Sequence, residues 1–122
     1  AVRGRLCMLF KTSPYTGFPM TTIVVLFNLL PSTDPLTYEN WAKTVDIPNV
    51  RRLPGCSDFR VLKVSGLLGS DEQPPYAYSE IIEVDDMAPF GEAVGTEAMQ
   101  AVAAQFREFA EDPVFLVSES LD

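Results

Sequence analysis

Residues 21–30, TTIVVLFNLL, form a run without a single charge and rich in β-branched side chains. Such a run reads as a strand, and since it offers no polar face it must be covered on both sides. At 122 residues the chain has the length of one domain with a real core and is too short for two. Pro31-Ser32-Thr33-Asp34-Pro35 ends the strand and starts a helix, with Asp34 as N-cap and Pro35 at the first helical position. Tyr38, Trp41, Ala42 and Val45 then recur at helical spacing. Pro48 disfavours helical geometry at Ile47, so Asp46-Ile47-Pro48 is expected to interrupt that helix. A short turn of helix from Asn49 to Leu53 follows, closed by Pro54-Gly55.

Residues 57–68 read as a second strand, with Phe59, Val61 and Lys63 on one face and Leu62 and Val64 on the other. GSDEQPP at 69–75 is a solvated loop. YAYSEIIEV at 76–84 alternates clearly, with Tyr76, Tyr78, Glu80 and Ile82 pointing one way. Asp85 and Asp86 cap one long second helix, whose stripe is Met99, Val102, Ala103, Phe106 and Ala110. Pro113 is expected to stop it, leaving 114–121 as the last strand. The order β-α-β-β-α-β defines an α+β, ferredoxin-like domain over residues 20–122. Two helices cover one face of its sheet. The other face stays open and apolar, which predicts a homodimer formed face to face through the sheet.

Charge and composition exclude several functions. Nine basic residues against 17 acidic ones give a formal charge of −8, the opposite of a nucleic-acid footprint. Histidine is absent, which removes Ser-His-Asp and Cys-His catalysis and most transition-metal sites. Acid–base chemistry must therefore use Asp, Glu, Tyr, Lys, Cys or water. Cys7 and Cys56 lack CxxC spacing, and the acids are scattered, so neither a metal nor a disulfide framework is indicated. No apolar run reaches the ~18 residues of a membrane span, and a cytoplasmic location with no membrane partner is expected. Residues 1–19 carry three basic residues and no acid. They read as an N-terminal extension, non-native or without function, with Met20 as a natural start.

The topology, together with YENWAKTVDIPNVRRLPGCSDFRVLKVSG (38–66) and YAYSEIIEVDDM (76–87), resembles the dimeric α+β barrel superfamily. Within it the chain is most similar to the RedY-like (HapK-like) proteins encoded with prodiginine and bisindole pathways, over about residues 20–121. VDIPNVRRLPG (45–55) is also similar to the segment of EthD-like barrels in which a helix ends in His-x-Pro and a Leu-Pro-Gly follows. Asp46 stands where those relatives carry the histidine. The resemblance implies a homodimer with one cavity per subunit between sheet and helices. It also implies a small pyrrole- or indole-derived metabolite as partner, steered through cyclisation, dehydration or aromatisation with no cofactor. A cofactor-independent monooxygenase and a non-catalytic module that shields a labile intermediate are the alternatives.

Two carboxylates stand out as candidate acid–base groups. Asp46, beside Pro48 and between Val45 and Ile47, reads either as a desolvated acid of raised pKa or as a cap for the next helical turn. Glu80 shares a strand face with Tyr76 and Tyr78 and reads either as a cavity acid or as half of an ion pair with Arg51, Arg52 or Arg60. Tyr38, Trp41 and Phe59 suit stacking on a flat ligand or an ordinary core. Tyr78 and Asn28 would position that ligand, and Arg52 would hold an anion.

Overall fold

A computed structural model describes residues 20–122; the N-terminal extension and Cys7 lie outside the described residues. Strand β1 (Thr21–Leu29) is the uncharged run. Helix α1 (Pro35–Trp41) begins as expected, the Asp34 carboxylate accepting from the Leu36 N–H at 3.2 Å.

The helix does not break at Pro48. It widens through a π-helical segment, Ala42–Asp46, and continues as α2 (Ile47–Arg51). In a regular α-helix the Pro48 ring would collide with the carbonyl four residues back and leave it without a donor. In the wider turn the Ile47 N–H bonds the Ala42 carbonyl, five residues back, and the chain passes the proline without stopping.

Strand β2 (Cys56–Lys63) ends five residues sooner than its hydrophobicity suggests, and β3 (Tyr78–Val84) starts two residues late, after Tyr76. The second helical region is two helices, α3 (Met87–Val94) and α4 (Glu97–Phe109). Gly95 ends the first, and the Thr96 hydroxyl accepts from the Met99 N–H to start the second. Pro113 is not the helix stop. Strand β4 (Ala110–Glu119) begins three residues before it and contains it. Proline is tolerated there because β4 is an edge strand, in the sheet order β2-β3-β1-β4, and its register shifts beside Asp112, which has φ 44°.

All strand pairs are antiparallel, and the register decides which side chains share a face. Val25 and Phe27 face the helices and are fully buried with Tyr38, Ala42, Tyr78 and Phe106. Phe27 stacks on Tyr78 and meets Tyr38 and Phe106 edge-on. On the opposite face, Val24 pairs with Leu116 and Ile81, and Leu26 with Val114, so the stripe without helical cover is apolar. β4 is exposed on both faces, with Phe115 at 60% and Leu116 at 43%, because the helix layer stops short of it.

Gly55 closes the α2–β2 turn at φ 81°, where its carbonyl accepts from the Asp85 N–H. A Cβ there would lie 2.1 Å from the Asp86 carbonyl oxygen. Gly55→Ala combines a left-handed backbone penalty with a backbone clash and is expected to lower stability by ~2 kcal/mol or more in denaturant unfolding. A wild-type midpoint would show that this close approach is not required.

Candidate functional site

Along the first helical region the buried positions are Tyr38, Ala42, Asp46 and Val50, four residues apart. In a regular α-helix such spacing drifts around the axis by about 40° per step. The wider turn before Pro48 cancels part of that drift and keeps Asp46 on the sheet-facing side. Its carboxylate makes no cap; the helix runs through it, and the side chain is 6% exposed.

Glu80 lies opposite on β3, in register with Val25 and Val61, and is also 6% exposed. The two carboxyl groups are close enough to alter each other's proton affinity. Among the described residues no arginine pairs with Glu80. Arg51 donates to the Phe59 carbonyl at 3.0 Å, Arg52 to Asn49 at 3.1 Å, and Arg60 lies 3.9 Å from Asp58.

Burial raises the Asp46 pKa to about 6, against the lowering effect of the Glu80 hydrogen bond. Burial raises Glu80 well above the carboxylate range, followed by the Asp46 charge and hydrogen bond. Both carboxyl groups therefore hold their protons to higher pH than exposed acids do, and they titrate as a pair rather than singly.

Tyr38 adjoins the pair. Its phenol is raised by burial and then by the charges of Glu80 and Asp46, so it stays protonated. The Tyr38 hydroxyl and Glu80 Oε2 are both buried without a hydrogen-bond partner. Two such atoms beside one acid pair are a costly arrangement that a bound polar group would relieve.

A cavity of about 140 Å³ has Tyr38, Ala42, Ile47, Val61 and Tyr78 as its walls, and neither Asp46 nor Glu80 lines it. Glu39, Lys43 and Lys63 stand at its more exposed side. The Tyr78 hydroxyl donates to Glu39 Oε2 at 2.6 Å, and Lys63 Nζ lies 3.1 Å from the same oxygen. These two hydrogen bonds, Tyr78 first, hold the Glu39 carboxyl below its usual range. Burial and then the Glu39 hydrogen bond raise the Tyr78 phenol. A second, more open cavity of about 430 Å³ shares Tyr78 and Lys63 with the first and reaches Asn28.

The fold thus brings Asp46, Glu80, Tyr38 and Tyr78 to one place. Three other candidates have structural partners. Asn28 accepts from the Ala77 N–H and donates to the Pro75 carbonyl, tying the entry of β3 to β1. Trp41 donates to Gln105 at 2.6 Å and packs on Phe109, joining the first helical region to α4. Arg52 is exposed and absent from the lining of either cavity. Sequence reasoning missed Glu39, Lys43 and Lys63; the i,i+4 spacing of Glu39 and Lys43 was the available signal. Among the described residues, no three of Cys, Asp and Glu are grouped to hold a metal ion.

Fold and site together define a ferredoxin-like α+β domain with a proton-sharing acid pair under a small cavity. The family described as REDY-like protein HapK matches residues 21–121, and the chain belongs to that family. HapK from Hahella chejuensis is 27% identical, with a TM-score of 0.66, over 83% of this chain and 92% of that one. SnoaB from Streptomyces nogalater, a cofactor-independent oxygenase, shares the fold at 17% identity and a TM-score of 0.63, over 85% of this chain and 95% of that one. A dimeric ferredoxin-like protein from Thermobifida fusca does so at 14% identity and 0.68, over 89% and 97%. No match is found among curated proteins. No helix among the described residues is long and apolar enough to cross a membrane.

Both raised carboxyl groups bind protons more tightly in the folded chain than in the unfolded one. Their contribution is greatest in acid and is lost as pH rises through about 6 and then through the higher Glu80 value. Wild-type Tm is expected to fall as pH rises from about 4 through about 6 and to go on falling above it, and Glu80→Gln, which keeps a donor toward Asp46, to flatten that fall. Parallel Tm profiles for the two proteins would mean that Glu80 does not carry the raised proton affinity.

Proposed function

We propose that the chain is a RedY-like protein of secondary metabolism acting on a reactive pyrrole- or indole-type aromatic intermediate. It steers cyclisation, dehydration or aromatisation by carboxylate acid–base catalysis and uses no cofactor. The observation that carries this reading is the buried Asp46–Glu80 pair, two interacting carboxyl groups whose proton affinity burial raises, as a shared acid–base site requires. Both groups lie just behind the cavity wall. Asp46 sits between Ala42 and Ile47, which line the cavity, and Glu80 is the register partner of Val61, which does too. Tyr38 belongs to the wall and couples to both acids, so its hydroxyl is the link through which a proton passes between the pair and a bound ring. Tyr78 positions the ligand from the wall shared with the larger cavity.

A base that takes a ring or α-carbon proton and an acid that protonates a leaving hydroxyl are what dehydration and aromatisation require. Asp46→Asn removes the base and Glu80→Gln the transferable proton while keeping shape and hydrogen bonding. Each substitution is expected to slow conversion of a pyrrole or indole intermediate by about 10²–10⁴-fold. Unchanged rate and product profile in both variants would replace catalysis by simple shielding of the intermediate. The fold shared with SnoaB favours a second reading, a cofactor-independent oxygenase. Turnover that persists under strict anaerobiosis would remove that second reading.

The molecule works as a homodimer in this proposal, formed through the sheet face that carries Val24, Leu26, Ile81 and Leu116. The exposed apolar residues of β4 support this, as does the dimeric state of the Thermobifida fusca relative. Leu116→Glu is expected to shift the mass in solution from dimer to monomer, measured by light scattering. A monomeric wild type would remove the dimer from the proposal.

A further inference from the structure

Residues 20–122 hold 17 acidic and six basic side chains, and only two of the basic ones are lysines, Lys43 and Lys63. Both line the 140 Å³ cavity. They reach it from different elements, Lys43 from the π-helical segment and Lys63 from the end of β2. Two cations converging on one cavity run against the charge of the rest of the chain, and that placement needs an explanation.

Pairing within the protein accounts for one of them. Lys63 lies 3.1 Å from Glu39. Lys43 has no ion pair among the described residues, and residues 1–19 contain no Asp or Glu to supply one. Lys43 is near enough to Glu39 to stabilise its charge, yet Glu39 is already held by Tyr78 and Lys63. The mouth therefore carries two ammonium groups against one carboxylate.

Size sets a second condition. A cavity of about 150 Å³ is known to take a single benzene ring, so about 140 Å³ admits one aromatic ring and no more. The walls are apolar apart from the two phenols, which suits the ring. Any further part of the ligand must stay at the mouth beside the lysines or extend past Lys63 and Tyr78 into the larger cavity.

We infer that the ligand of this site is an aromatic anion: one ring enters the cavity, and a carboxylate attached to it stays at the mouth between Lys43 and Lys63. The inference rests on the proposed function for the location of the site and adds the charge and size of what enters it. The anion takes Lys43 directly and shares Lys63 with Glu39, which keeps its Tyr78 hydrogen bond. Inside, the wall residue Tyr38, whose hydroxyl is unpartnered, meets the polar edge of the ring. Because the ammonium groups are exposed, they act on ligand choice and on the rate of encounter, and salt weakens both.

The test uses a matched pair of probes, pyrrole-2-carboxylate and pyrrole-2-carboxamide, titrated calorimetrically into the whole protein at low salt. Wild type is expected to bind the carboxylate at least about tenfold more tightly than the amide, and added salt to erode that preference. Lys43→Gln and Lys63→Gln, both surface changes checked by Tm, are each expected to reduce the preference to about threefold or less, with amide binding unchanged. Equal affinity for the two probes in wild type would overturn the anion while leaving the ring-binding cavity in place. A preference that survives both lysine substitutions would overturn the assignment to this mouth. Binding of neither probe would overturn the inference and, with it, the cavity as the ligand site. The acid–base reading is tested separately, by the rates of the Asp46 and Glu80 variants.

Discussion

Asp46 and Glu80 are both buried and act on each other's charge, and a dry core does not hold two adjacent carboxylates both ionised. One proton must stay. The structure meets that constraint with the sheet on one side and the widened helical turn on the other. β3 fixes Glu80 between Val25 and Val61, while the turn before Pro48 carries Asp46 to the same depth. A helix that broke at Pro48 would release Asp46 toward solvent, and Glu80 would be left alone in an apolar layer. The proline, the π-helical segment and the acid pair thus form one arrangement, in which a local backbone irregularity places a buried acid.

Around that pair the aromatic residues do two different jobs. Phe27, Phe106 and the ring of Tyr78 form a stacked and edge-on core that anchors β1 and β3 to α4. The hydroxyl ends of the tyrosines serve the site. Tyr78 ties Glu39 to the cavity wall, and Tyr38 carries an unsatisfied hydroxyl beside the acids. Trp41, by contrast, is spent on Gln105 and Phe109, and Asn28 on the backbone of the loop that enters β3. One of these braces joins the first helical region to α4, and the other ties β1 to the start of the strand that carries Tyr78 and Glu80.

Much of this was legible in the residues. The uncharged run gave β1, Asp34-Pro35 gave the helix start, and the alternation in YAYSEIIEV put Tyr78 and Glu80 on one face. Those signals are local, and local geometry decided them. The errors fell where a local rule met a tertiary alternative. Pro48 did not stop a helix that could widen, and Pro113 entered an edge strand where its missing N–H costs nothing. Gly95-Thr96 divided a helix whose apolar stripe looked continuous. The four-residue spacing of Tyr38, Ala42, Asp46 and Val50 was visible too, but only the wider turn makes that spacing one face.

The sequence by itself determined the element order, the family resemblance and the exclusion of histidine from any proton chemistry, because composition and short-range periodicity are properties of the chain. Only the tertiary structure decided that the partner of Glu80 is Asp46 rather than an arginine. Only it brought both lysines to one cavity and left Arg52 outside. Those outcomes depend on strand register and on the path of one helical turn, which set distances between residues twenty or more positions apart that no local pattern encodes.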